Sequence, residues 1–489
     1  MARKILCLFL SLLLASTALM TAGCSEQSAS GTDTPSNTPS AAGVTDAEAE
    51  EDEDEAFITD GLPEKDFGGE TFAILTTSWY NAKKYIYADE MDGEVVNDAL
   101  YNQRMKVSDR FNVNVTCNDD DDLNPVSAKV HNCVVSGDDS YSIVYSHDNM
   151  TMNNGLKGDF CDLRSFEILD FSKPWWQGTP QVFTIQGKLF ATANSMAMSG
   201  IYMNCTVSFN KTLMADLQLE TPYEKVRNGE WYFDDMTAMA SAATQDLDGD
   251  GKLTAKDQWG FLTASYGWLQ LQSDLGAGCM EKDAEGNVCF TGNVDRMISV
   301  MEKFDKMDEF TQSSTGTDYN VQMFSEGRGL FMFSENRNLY ESMRESDVSY
   351  GILPAPKFDE TQSDYASAGY DIYWGVILSS AAHEELISYC VEAMSCENYN
   401  NVVPAVWETV LGAKLSDAPE DTEMFRIIRD CQYVDLGYAL SQSIPGLSSI
   451  VFLKTNTTAD ATASFIQKVM KSLNKGTERL NKSYSELGG

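Results

Sequence analysis

Early in the folded part of the chain the hydrophobic period switches from two to about 3.6 and back again, which limits the folds open to it. TFAILTT (71–77) and NVNVTCN (112–118) alternate apolar and polar residues and are rich in β-branched side chains, so both are predicted strands. Between them VVNDALYNQRMKVSDRF places Val96, Leu100, Val107 and Phe111 on one helical face. YSIVYS (141–146) is a third strand. Strand, helix and strand in succession predict an α/β fold built on a mixed, mostly parallel sheet with covering helices. The C-terminal third is richer in helix: HEELISYCVEAMS, EMFRIIRDCQYV and TASFIQKVMKSLNKGTERLNKSY all carry the helical period.

Residues 1–23 read as a secretory signal, with Arg3 and Lys4 ahead of an apolar run that ends in small residues. LMTAGC resembles a bacterial lipoprotein processing site, which implies cleavage before Cys24 and lipid on its thiol. The stretch from Ser25 to Glu55 is small, polar and then acidic, with almost nothing to bury, so 24–56 reads as a lipidated cysteine and a disordered acidic tether. From about residue 57 the chain has ordinary globular composition and is long enough for two lobes. A formal net charge of -39 argues against nucleic acid and an anionic membrane surface as direct partners.

DLDGDGKLTAKD (246–257) has the form of a 12-residue calcium loop. Asp246, Asp248 and Asp250 fall on the first three ligand positions and Gly251 on the turn. Lys252 offers its carbonyl, and Asp257 takes the last place, where a bidentate Glu is usual. WYFDDMTAMASAAT leads in as a helix and QWGFLTA leads out as a strand. The expectation is a structural Ca2+ staple between helix and strand.

Of 11 cysteines, Cys7 leaves with the signal and Cys24 is assigned to lipid, which leaves nine and no CxxC pair. Cys279 and Cys289 face each other across a predicted hairpin and are candidates for a bridge, while buried free thiols are the preferred reading for most of the set.

Five segments in order resemble extracellular solute-binding proteins of ABC importers, the sugar-binding, maltose-binding-protein-like family. They are the Gly187-Lys188 hairpin leading to Phe209-Asn210-Lys211, the helix, acidic loop and strand of 231–261, and FSEGRGLFMFSENRNLYESM (324–343). VSYGILPAPKFDETQSDYAS (348–367) and the Trp374-Gly375 strand with its following helix complete the set, and the resemblance covers roughly 66–410. It implies a two-lobed receptor with a cleft between lobes. Lobe 1 would comprise 57–190 and about 368–400, and lobe 2 would comprise 191–367 and about 401–489. It further implies a lipid-anchored protein on the outer face of the cell membrane that hands a small solute to a membrane permease.

A sugar site needs flat aromatics for ring faces and polar groups for hydroxyls. Aromatics in polar contexts supply the candidates: Trp79, Tyr80, Trp175, Trp176, Trp268, Tyr370, Trp374 and Trp407, with Asp371 as acidic partner. Ordinary core packing competes for each one singly. In an extended segment successive side chains face opposite ways, so Trp175 and Trp176 are expected to place one ring in the cleft or in solvent. No HExxH, GxSxG or GxxxxGK[ST] motif is present, and His131, His147 and His383 read as surface or satisfied residues. The alternative function is an anchored extracellular carbohydrate-active enzyme, whose paired carboxylates need not show in sequence.

Overall fold

The structure, a computed structural model, describes residues 57–487 except 120, 315, 316, 344, 345, 371, 408–410 and 412–417. The signal segment, Cys24 and the tether lie outside the described residues. The chain first forms β1 (Glu70–Leu75), β2 (Val113–Asn118) and β3 (Ile143–His147). It continues through β4 (Cys205–Asn210), β5 (Trp259–Ala264), β6 (Met280–Lys282), β7 (Val288–Phe290) and β8 (Thr311–Ser314). Then come β9 (Gly329–Glu335), β10 (Tyr350–Leu353), β11 (Ser367–Gly369), β12 (Tyr373–Val376) and β13 (Gln432–Val434).

Two main sheets result, in the orders β12-β3-β1-β2 and β10-β4-β9-β5-β8. In the first, β1 runs parallel to β2 and β3, and β12 returns antiparallel against β3. In the second, β5 runs parallel to β8 and β9, while β4 and β10 are antiparallel additions. The α/β arrangement with mixed sheets is the expected one; the first sheet is mostly parallel, as expected, whereas half of the pairings in the second are antiparallel. β4 and β9 are buried at every residue, as befits central strands covered on both faces.

The helix Val95–Phe111 occupies the predicted residues and buries Val96, Leu100, Val107 and Phe111 against the first sheet. After β12 the helix Glu384–Glu397 packs on β1, so residues distant in sequence cover the first sheet. The helix Pro419–Asp430 instead packs on β10. Asp421, 1% exposed, fixes that contact by accepting from Ile352 N at 2.8 Å, Tyr223 Oη at 2.6 Å and Lys211 Nζ at 3.0 Å.

Two expectations are corrected here. EMFRIIRDCQYV is helical only to Asp430, and Gln432–Val434 pairs in parallel with β11. Pairing with a distant strand overrides the local helical period. The β6–β7 hairpin forms, but its register sets Cys289 opposite Glu281 while Thr291 N donates to Cys279 O, and both thiols are free. All nine cysteines from Cys117 onward are free.

The helix Phe233–Ala243 and β5 flank the acidic loop as expected. Gly260 lets them meet, since a Cβ there would lie 2.0 Å from the Ala240 carbonyl oxygen. The long helix Thr462–Glu486 buries Ile466, Leu473, Leu480 and Tyr484, and Asn481 brackets Val288 with two hydrogen bonds of 2.9 Å. Among the described residues no helix is long and apolar enough to cross a membrane.

Candidate functional site

In open α/β sheets, side chains just beyond the carboxyl ends of parallel strands face a crevice. Here four such ends, two from each main sheet, meet. β1 leads into Thr76 and Thr77, both fully buried, and Thr76 Oγ1 donates to Tyr145 O at 2.9 Å. Thr77 Oγ1 accepts from Trp79 N at 3.1 Å and turns the chain outward. Tyr80 and Asn81 then adopt φ of 49° and 53°, the left-handed region that non-glycine residues seldom occupy. Such strain persists where surrounding structure over-determines it, often at a ligand site.

The Trp79 ring packs at a tilt on Tyr80, with centroids 4.3 Å apart, and meets His147 edge-on at 4.9 Å. His147 ends β3, opposite Tyr373 on β12, and Tyr373 Oη donates to Trp79 O at 2.9 Å. From the second sheet, β9 ends at Glu335, and Arg337 follows two residues later with its Nε paired to Glu335 Oε2. β5 leads directly into Tyr266, whose ring lies 5.7 Å from Tyr370. Tyr370 Oη and Cys205 Sγ, at the start of β4, are 3.0 Å apart.

The sheets touch where the Arg337 guanidinium lies 4.3 Å from the centroid of the Tyr80 ring. Lys84 pairs with Glu341 across the same junction. Burial alone would depress Arg337, but the charge and hydrogen bond of Glu335 outweigh it and hold the guanidinium above its ordinary pKa. Burial pushes up the phenols of Tyr85 and Tyr266, nearby carboxylates add to the shift, and Arg337 opposes it in both. Tyr85 Oη, Tyr266 Oη and Asn338 Nδ2 are buried with no hydrogen-bond partner among the described residues. Together these groups can grip a polar ring through aromatic faces and through donors that the protein leaves unmatched.

The sequence candidates divide. Trp79 and Tyr80 stand in the site, and Tyr370 adjoins it through Tyr266. Asp371 lies outside the described residues. The other five are corrected to core positions. Trp175 and Trp176 belong to a 3-10 turn, Pro174–Trp176, rather than an extended segment, so both rings are buried, at 0% and 2% exposure. Trp175 Nε1 donates to Glu392 Oε1 at 3.0 Å, and Trp176 packs on Phe171. Trp268 packs between Phe261 and Phe304. Trp374 lies 3.9 Å from Phe183, because strand alternation gives the site to its neighbour Tyr373. Trp407 packs on Phe425.

His147, Tyr266, Glu335, Arg337 and Tyr373 were missed. The available signal was position: His147, Tyr266, Glu335 and Arg337 lie at or just beyond the carboxyl end of an apolar strand, and Tyr373 opens one. His147 is 5% exposed and packs on Trp79, which places it under the buried alternative of the two expected for it.

In the acidic loop, one carboxylate oxygen from each of Asp246, Asp248 and Asp250 comes within 4.8 Å of the others. Asp246 accepts from Gly249 N and Gly251 N, both at 2.7 Å, and those glycines have φ of 72° and 81°. Asp257 departs from its expected ligand role. It is fully buried, and its two oxygens accept from Leu247 N, Thr254 N and Thr254 Oγ1. The backbone N–H groups of Leu247 and Thr254 hold its pKa below the usual carboxylate range. The bridge between Gln245 and Gln258 closes the loop's base. Three converging carboxylates fit a hard divalent cation, with Asp257 organising the loop behind them.

At the sequence level the chain matches no protein-family model and no curated protein. Its fold, however, is shared with solved structures. The galacto-N-biose/lacto-N-biose I-binding protein of an ABC transporter from Bifidobacterium longum matches with a TM-score of 0.57 at 11% identity, over 84% of this chain and 99% of that one. The cyclic alpha-maltosyl-1,6-maltose binding protein from Arthrobacter globiformis gives 0.55 at 12% identity, over 84% and 100%. The GacH receptor of Streptomyces glaucescens, described with acarbose, gives 0.52 at 13% identity, over 83% and 99%. The fold is the two-lobed, periplasmic-binding-protein-like fold of those structures. Within that fold the junction of Tyr80 with Arg337 marks the candidate site of this chain.

Proposed function

We propose that the protein captures a carbohydrate outside the cytoplasm and delivers it to the permease of an ABC importer. The observation that carries this reading is the convergence of four strand ends on one aromatic and charged cluster between the sheets, with Tyr80 and Arg337 in contact across it. Ring faces and unmatched donors are what a polyhydroxylated ring requires. The similar folds described above belong to proteins named for the sugars they bind. On this reading Cys24 carries the lipid that holds the receptor to the outer face of the membrane, and the acidic tether gives it reach. Asp246, Asp248 and Asp250, with the Lys252 carbonyl, hold a structural Ca2+ that stiffens the second lobe.

A thermal-shift screen against mono- and oligosaccharides, followed by calorimetry on each hit, tests the reading. Saturable binding with no change in the sugar is the expected result. Product released from an oligosaccharide would replace the receptor reading with the enzyme alternative.

A further inference from the structure

The chain is strongly acidic as a whole, yet its last helix is basic along one side. On Thr462–Glu486, Lys468, Lys471, Lys475, Arg479 and Lys482 recur at intervals of three and four residues, so they line one stripe about 21 Å long. All five are exposed. Lys482 pairs with Glu486 at 3.5 Å, while Lys468, Lys471, Lys475 and Arg479 make no ion pair among the described residues. Glu478 and Glu486 are the acids on this stretch, so its cations stay in excess. On the opposite side Ile466, Leu473, Leu480 and Tyr484 are buried, which commits the apolar face to the core. The helix packs on Val294–Asp308, whose Asp305 and Asp308 are held by Lys454.

We infer that this stripe is a docking surface for the phosphate headgroups of anionic lipids, and that it sets which side of the protein faces the membrane. The inference goes beyond the receptor reading and takes from it only the lipid anchor, which makes a bilayer the nearest large surface. A straight row of long basic side chains meets a flat array of phosphates with all five cations at once. The buried apolar face leaves nothing to insert, so the contact is electrostatic and stays in the headgroup plane. The chain-wide net charge averages over this asymmetry. At physiological salt a charge is screened over about 8 Å, so acids on far faces weaken the contact little. Those same acids repel an anionic surface when an acidic face approaches it, and attraction on one side with repulsion on others gives an orientation.

Co-sedimentation with vesicles tests this on the chain from residue 24 onward carrying Cys24→Ser, so that no acyl chain contributes. Vesicles of equal parts phosphatidylglycerol and phosphatidylcholine should bind it at least about tenfold more tightly than phosphatidylcholine alone. Lys471→Gln, Lys475→Gln and Arg479→Gln together should remove most of that preference, with folding checked by circular dichroism. The same loss of charge at Lys106, Lys256 and Arg429, on other elements, should leave it in place. Equal binding to the two vesicle types, a preference that survives the stripe variant, or an equal loss in the second variant overturns the inference. So does binding of soluble polyglutamate without vesicle binding, which would assign the stripe to an acidic protein. Palmitate labelling of wild-type protein beside Cys24→Ser tests the anchor separately, so either reading can fail alone.

Discussion

The guanidinium of Arg337 lies 4.3 Å from the centroid of the Tyr80 ring, and this contact joins two sheets that are otherwise built separately. Tyr80 is held there by a left-handed backbone, and Arg337 by its bond to Glu335. Because that pair is shielded from water, breaking it should be costly. Arg337→Met should destabilise the protein by about 3–5 kcal/mol, since it removes the cation beside a buried carboxylate. Adding Glu335→Gln to the same chain should recover much of that loss. Chemical denaturation of the two single variants and the double variant measures the coupling.

The two acidic roles in the calcium-type loop separate by mutation. Ion binding confined to the folded state stabilises by roughly 2.7 kcal/mol at a hundredfold excess over Kd. Excess chelator should therefore lower the Tm of wild-type protein, and Asp250→Ala should abolish the response. Asp257→Ala should cost about 2–3 kcal/mol even in chelator, because its carboxylate accepts three hydrogen bonds within the loop. Thermal scans with and without calcium check both.

Burial raises the Glu392 carboxyl to about 8, with Trp175 Nε1 donating to it at 3.0 Å. Its unfolded value is about 4.3. Between these values the folded chain keeps a proton that the unfolded chain has released, so stability falls as pH rises through the window and levels off above it. The contribution is on the order of 4 kcal/mol. Glu392→Gln should flatten this part of the stability profile, measured as the difference from wild type between pH 5 and pH 8.5 (about the span of the two values).

Trp175 separates core from site. Its ring is fully buried, so Trp175→Ala should cost about 3–5 kcal/mol. Binding by the folded fraction should be unchanged. Weakened binding at full folding, measured by calorimetry beside circular dichroism, would return Trp175 to the site.

The fold was legible where period and burial agree. The helix Val95–Phe111, its flanking strands and the elements around the acidic loop all fell within a residue or two of their expected bounds. The site was less legible, because an aromatic in a polar sequence context carries no record of its partners. Trp175 and Trp176 misled because a 3-10 turn brings consecutive rings into one core, which strand alternation forbids. Glu335 and Arg337 carry no sequence pattern that marks them as site residues. Only the pairing of β9 with β4 and β5, which no local pattern encodes, brings them to the junction.

The most direct test of a sugar site at this junction is calorimetry on wild-type protein and Tyr80→Ala with whichever saccharide the screen identifies. Tyr80 is 43% exposed, so its truncation should change Tm little. The account predicts one sugar bound per chain by wild-type protein, weakened at least about tenfold by Tyr80→Ala. Equal affinity in the two proteins would contradict it.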